Sequence, residues 1–178
     1  MDSRDQARRL PAHCRARRQD RAPVYQERPR RSDRYPLIRE AALRHRQRSF
    51  AIDGEAVLLG VDGRSDFDGL HSRKHDDEVQ FYAFDILLAD GKDIRTLPLH
   101  LRKNTLARLF ARRVDGIFLS DFEQGEIGPE LYRHACLMGL EGMVSKHRER
   151  PYRAGRSPHW IKVKNPKQPS MQRGEDWN

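Results

Sequence analysis

Three short segments of this chain place charged side chains where apolar neighbours would be expected to dominate. Phe50-Ala-Ile-Asp53-Gly54-Glu55 puts two carboxylates two apart on a run that otherwise reads as a buried strand, so both face one side of it. Two carboxylates on one face of a core strand repel each other unless a metal ion or a cationic group lies between them. Glu141-Gly142-Met-Val-Ser-Lys146 sets a carboxylate and a lysine at the two ends of another apolar run. Trp160-Ile-Lys162-Val-Lys164 alternates a ring and two lysines, which on a strand share one face. Two lysines projecting together can clamp a phosphate and neutralise charge as a phosphorylated group departs. A fourth run, Phe81-Tyr-Ala-Phe84-Asp85-Ile-Leu87, is apolar enough for the centre of a sheet, yet Asp85 there needs hydrogen-bond donors or a cation. Charge placed in this way is costly without a charged ligand to meet it, so the pattern points to phosphate chemistry. Singly, each segment has a plainer reading: solvated acids, a core phenylalanine, a basic edge strand.

The elements that must position these residues begin at Ser32 or Asp33, either of which can cap a helix opening at Tyr35-Pro36. Leu37, Ile38, Ala41 and Ala42 give that helix an apolar stripe before Arg48. A strand is expected from Phe50 to Leu59, a turn at Gly60–Gly63, and a short helix from Ser65-Asp66-Phe67 to about Arg73. Val79 to Leu88 reads as a strand closed by a turn at Asp90-Gly91. Leu101 to Arg113 reads as a helix with Leu106, Leu109 and Phe110 inward. A strand over Gly116–Phe122, a helix over Pro129–Met138 that Gly139 can end in a left-handed conformation, and strands over Gly142–Lys146 and His159–Val163 complete the set. Strands and helices mix without strict alternation, so we expect an α+β domain with mainly antiparallel sheets packed with helices.

Composition bounds the function. A net charge of +9 and a pI near 10 suit a polyanionic partner such as DNA, although an arginine-rich leading segment supplies much of that charge. Cys14 and Cys136 form neither a disulfide framework nor a metal cluster, and no apolar stretch is long enough for a signal peptide or a membrane span. The expectation is a soluble cytoplasmic protein. His71 and His75 sit four apart, but no third ligand supports a metal there.

In order and approximate spacing the Asp53-Gly54-Glu55, Glu141–Lys146 and Trp160–Lys164 segments resemble motifs III, IV and V of ATP-dependent DNA ligases, with the Phe81–Leu87 run resembling motif IIIa. The resemblance covers roughly residues 33–165. It implies an ATP-grasp-like nucleotidyltransferase (adenylation) domain of the bacterial end-joining type, truncated at the N-terminus, with ATP and Mg²⁺ as cofactors and nicked double-stranded DNA as partner. By the same resemblance Glu55, Phe84, Lys146, Lys162 and Lys164 bind the nucleotide, Phe84 by stacking on adenine. Lys162 and Lys164 also act on the α-phosphate in catalysis. Glu141 is the metal-binding acid, with Asp53 as its neighbour, and Arg153 and Arg156, in a segment resembling the basic linker of these ligases, contact DNA phosphates. His147 stands where the family often has arginine.

One family feature is missing. The nucleophilic lysine of a Lys-x-Asp-Gly segment, upstream of Asp53, occurs nowhere in the sequence. Arg113-Val-Asp-Gly116 comes after Asp53, in the wrong order, and a guanidinium that stays protonated is no nucleophile; it reads as a helix end and turn. Residues 1–31 have no period of 2 or 3.6. The codons they permit offer an explanation. In the plus-one frame Met1-Asp2 forces tryptophan, Gln6-Ala7 allows only lysine or arginine, and the whole stretch can spell Trp-Ile-His-Glu-Ile-Lys-His-Asp-Gly-Phe-Arg. That resembles the family's lysine motif. We therefore expect residues 1–32 to be a disordered basic segment translated out of frame, 33–165 a partial adenylation domain, and 166–178 a polar tail. The implied activity is sealing of DNA nicks in repair and recombination through lysyl-AMP and DNA-adenylate, with this chain inactive alone. The alternative is a non-catalytic module that binds nucleotide or nicked DNA. An RNA ligase or capping-type enzyme fits the Tyr152–Lys164 run less well.

Overall fold

The computed structural model describes residues 12–17, 22–23, 34–47, 49–126, 128–138, 140, 142–155 and 157–166. The elements in chain order are β1 (Ala12–Arg17), β2 (Ala22–Pro23), α1 (Pro36–Arg44), β3 (Ser49–Val57), α2 (Phe67–Ser72), β4 (Gln80–Ala89), β5 (Lys92–Asp93), α3 (Leu99–Leu109), β6 (Ile117–Leu119), α4 (Gly128–Leu137), β7 (Gly142–Lys146) and β8 (Trp160–Lys164). Two sheets form. The larger runs β2-β1-β3-β4-β5, with β6 also pairing to β4; the smaller is the β7-β8 hairpin. Every ladder is antiparallel except β4-β6, so the α+β expectation holds.

The centre is β3 against β4. Phe50, Ile52, Phe81, Ala83 and Ile86 are fully buried, and they pack with Ile38, Ala41 and Ala42 of α1 and with Leu106, Leu109 and Phe110 at the end of α3. The rings of Phe50, His45 and Phe110 meet at centroid distances of 5.1 to 6.2 Å, and the His45 imidazole contacts the Leu109 carbonyl at 2.6 Å.

Local chemistry sets most boundaries. Asp66 caps α2 by accepting from the Gly69 N–H at 2.8 Å, and Arg73 closes it in a left-handed conformation. Asp90 and Gly91 both have positive φ, which gives a two-residue turn matched to the twist of β4 and β5. Helix α1 starts at Pro36 with Tyr35 at the cap, so neither Ser32 nor Asp33, which lie outside the described residues, is its first neighbour. Helix α3 ends at Leu109, four residues before the expected Arg113, and the Arg113–Gly116 stretch becomes a turn closed by a bridge from Val114 to Ile117. Gly139 also lies outside the described residues.

Within residues 1–32 the described parts are the strands β1 and β2, with β1 paired to β3 from Ala12↔Gly54 to Arg17↔Ser49. No sequence period marks them. An open strand edge offers unpaired N–H and C=O groups that any extended backbone can satisfy, so such pairing needs no side-chain signal. No helix among the described residues is long and apolar enough to cross a membrane.

Candidate functional site

The site forms where the hairpin β7-β8 meets β3, β4 and the first turn of α3. The β3-β4 register sets Asp53 directly opposite Asp85 and Glu55 opposite Tyr82, and a shift between Asp53 and Gly54 leaves Phe84 without a partner residue. Such a bulge bends the strand and re-aims the side chains beside it.

Two buried carboxylates face each other, and each is answered by a residue distant in sequence. Arg102 on α3 donates to both oxygens of Asp85, from Nε at 2.8 Å and Nη2 at 2.9 Å, and both residues are almost completely buried. The Ile86 N–H adds a bond to Asp85 Oδ1 at 2.8 Å. The remaining guanidinium nitrogen, Nη1, donates to the carbonyls of Leu97 and Arg150. Asp53 Oδ2 accepts from the Tyr152 hydroxyl at 3.1 Å. Burial raises the Tyr152 pKa, and the neighbouring Asp53 charge and hydrogen bond raise it further, so Tyr152 stays a neutral donor. The stretch after β7 is also held by Tyr152 N–H to the Arg95 carbonyl at 2.8 Å and His100 N–H to the Arg148 carbonyl at 3.1 Å.

Lys146 ends β7 inside this layer. Its Nζ lies 4.1 Å from the centroid of Phe84 and 4.4 Å from that of Trp160. Burial lowers its pKa, while the charges of Asp85 and Asp53 oppose the shift. The β7-β8 register pairs Lys146 with Trp160, Val144 with Lys162 and Gly142 with Lys164, so the three lysines share one face of the hairpin. Lys162 and Lys164 are exposed, as is Glu55. Beside Glu55, the rings of Tyr82 and Phe118 stack with centroids 5.6 Å apart. Lys103, next to Arg102, places its Nζ 4.0 Å over the Phe122 ring. Its pKa falls to about 8, mainly through burial and then through the nearby charge of Lys146.

The structure thus brings Asp53, Phe84 and Lys146 together, with Lys162 and Lys164 on the same hairpin face and Glu55 two residues along β3. Arg153 stands apart, exposed in the loop before Gly155. Glu141 and Arg156 lie outside the described residues. Among the described residues no three His, Cys, Asp or Glu side chains converge as a metal cage. Asp53 is buried, and its Oδ2 is engaged by Tyr152. His71 and His75 bond instead to the Phe67 carbonyl and to Glu78.

Arg102 and Tyr152 escaped the sequence reading. Arg102 had a usable signal: with Leu99, Leu106 and Leu109 it continues the inward stripe of α3, and an arginine there must meet a buried acid. Tyr152 had none, because its partner is 99 residues away.

A family model described as ATP dependent DNA ligase domain matches residues 18–164. The chain is 33% identical over 121 residues to the multifunctional non-homologous end joining protein LigD of Pseudomonas aeruginosa, covering 66% of this chain and 14% of that protein. It is 34% identical over 141 residues to a probable DNA ligase of Streptomyces coelicolor, covering 71% of this chain and 28% of that one. Among solved structures, a mycobacterial DNA ligase D complexed with ATP and MES superposes with a TM-score of 0.70 at 26% identity, over 85% of this chain and 50% of that chain. The ligase domain of Mycobacterium tuberculosis LigD gives 0.63 at 28% identity, over 75% and 43%. The chain therefore spans half or less of the length of these relatives. On the strength of the family match and the site it frames, the chain belongs to the ATP-dependent DNA ligase family and carries part of its nucleotidyltransferase domain, of the bacterial end-joining type.

Proposed function

We propose that this chain binds ATP in the pocket between the β3-β4 layer and the β7-β8 hairpin, and that it derives from an enzyme sealing nicks in double-stranded DNA during repair. The observation that supports this best is Lys146 beside Phe84, with Lys162 and Lys164 following on the same hairpin face. Phe84 offers a ring to the adenine, Glu55 an acceptor to the ribose, and the three lysines positive charge to the phosphates. Positive groups fixed in a partly desolvated site act on developing phosphate charge more strongly than in water. Glu141, with Asp53 as its neighbour, would hold Mg²⁺, which would supply further positive charge to the phosphates. Arg153 and Arg156 would meet DNA phosphates, and the work would take place in the cytoplasm.

The same reading assigns the chain no covalent step of its own. Transfer of AMP to the enzyme requires an amine nucleophile at the α-phosphorus, and no Lys-x-Asp-Gly is present. That absence favours, as the second reading, a module that binds nucleotide or nicked duplex without ligating it. Calorimetry with ATP and Mg²⁺ tests the pocket: binding is expected, and Lys162→Ala with Lys164→Ala should weaken it roughly tenfold or more. Absence of ATP binding by the unaltered chain overturns the proposal. Binding to nicked duplex that weakens steeply with salt, without joining, would select the second reading.

A further inference from the structure

We propose that Lys146 makes this pocket selective for nucleotides over nucleosides, because its ammonium covers the face of Phe84 until a phosphate group draws it away. The inference rests on the nucleotide-binding reading of the site. Nζ stands 4.1 Å from the Phe84 centroid and 4.4 Å from the Trp160 centroid, so the ammonium lies against both rings. A base stacked on that face of Phe84 would have its plane at about 3.5–4 Å, within the volume the ammonium fills. Base and ammonium therefore exclude each other.

Opposing influences act on the Lys146 ammonium. The two rings and the charges of Asp85 and Asp53 favour it; burial, Arg102 and Lys103 oppose it. An incompletely hydrated ammonium with this mixed surrounding gains from an anion more than a solvated one does. The place for that anion is close at hand, since Lys162 and Lys164 lie on the same face of the hairpin. A nucleotide brings both parts of the exchange: its base takes the ring, and its phosphate receives the displaced lysine. A nucleoside brings only the base, so the cation–π contact is lost without replacement. Losing desolvated contacts of this kind corresponds to roughly a five- to thirtyfold change in affinity, about 1–2 kcal/mol.

The test uses the full chain with Trp177→Phe, which leaves Trp160 as the single indole. Adenosine, AMP and ATP are titrated against its fluorescence. In the otherwise unaltered chain AMP and ATP should bind and change Trp160 emission, with adenosine far weaker. Lys146→Met, which keeps the apolar stem, should tighten adenosine about five- to thirtyfold and weaken AMP and ATP. Lys146→Arg should preserve the original ranking. Adenosine binding as tightly as AMP without any change at Lys146 overturns the inference, and so does adenosine binding that Lys146→Met leaves unchanged or weaker while ATP still binds. If none of the three ligands binds the unaltered pocket, the nucleotide reading falls and this inference with it.

Discussion

Asp85 and Arg102 are both withdrawn from water, and the pair is complete: two charge-assisted bonds join them, and the spare donor of Arg102 reaches backbone carbonyls of two different segments. Their worth shows when one is removed. Arg102→Ala takes both charge-assisted bonds from a buried carboxylate that faces Asp53 and should cost about 3–5 kcal/mol of stability in urea unfolding. Replacing both, as Arg102→Met with Asp85→Leu, should recover most of that loss. A single variant as stable as the original would show that the pair is solvated after all. Lys103 gives a prediction in pH. Its folded pKa is lowered to about 8 from 10.5, so between those values the unfolded chain binds more protons than the folded one. Stability from this group therefore rises as pH goes from about 8 towards 10, and the charged amine is a burden below that window. Lys103→Met should accordingly gain stability relative to the original chain at pH 7, and the gain should shrink by pH 10. Paired melts at the two pH values check it; a gain that grows with pH would contradict the assigned direction.

At the scale of elements, the glycines inside the recognised segments turn out to be packing residues. A side chain at Gly54 would collide with the Tyr82 carbonyl and come within 2.5 Å of the Phe81 ring, on the neighbouring strand. At Gly142, with φ near +152°, it would strike the Val163 carbonyl. Gly54 and Gly142 thus let the strands close around the site. Gly54→Ala should therefore cost more than the 1–3 kcal/mol typical of an overpacked core, because one obstacle is backbone and cannot rotate away. Tyr152→Phe should cost less, about 1–3 kcal/mol, by removing one donor from buried Asp53. It should also speed amide exchange in the β7-β8 hairpin ahead of the rest of the molecule. Uniform acceleration would mean that Tyr152 does not hold the hairpin. What was legible in the sequence divides along this line. Apolar runs marked β3 and β4, and a 3.6 period marked the inward face of α3, because these are local properties of the chain. The two-residue strand β5, the early end of α3 and the Asp53–Tyr152 contact depend on neighbours far along the chain. No window of sequence contains them.

For the whole molecule the decisive residue is the lysine of a Lys-x-Asp-Gly segment, which these 178 residues do not contain. Lys146, Lys162 and Lys164 on one hairpin face offer positive charge to phosphates, but on the proposed reading AMP transfer still needs an amine acceptor. We propose that the codons of residues 1–31 are read one nucleotide out of phase, with the frame restored near Arg31–Asp33. The junction of Gln6 and Ala7 then decides the matter, because only AAG in the shifted frame encodes lysine there, and AGG would encode arginine. Strand β1 joins β3 by a backbone ladder, which another extended segment can also supply. Two chains should therefore differ sharply. The chain as translated, incubated with labelled ATP and Mg²⁺ and run on a denaturing gel, should carry no stable label. A chain whose first thirty or so residues come from the plus-one frame should acquire a covalent AMP that survives denaturation. Label on the first chain would demand another nucleophile. A codon other than AAG at Gln6–Ala7, or a shifted-frame chain that binds ATP yet stays unlabelled, would end the out-of-frame explanation.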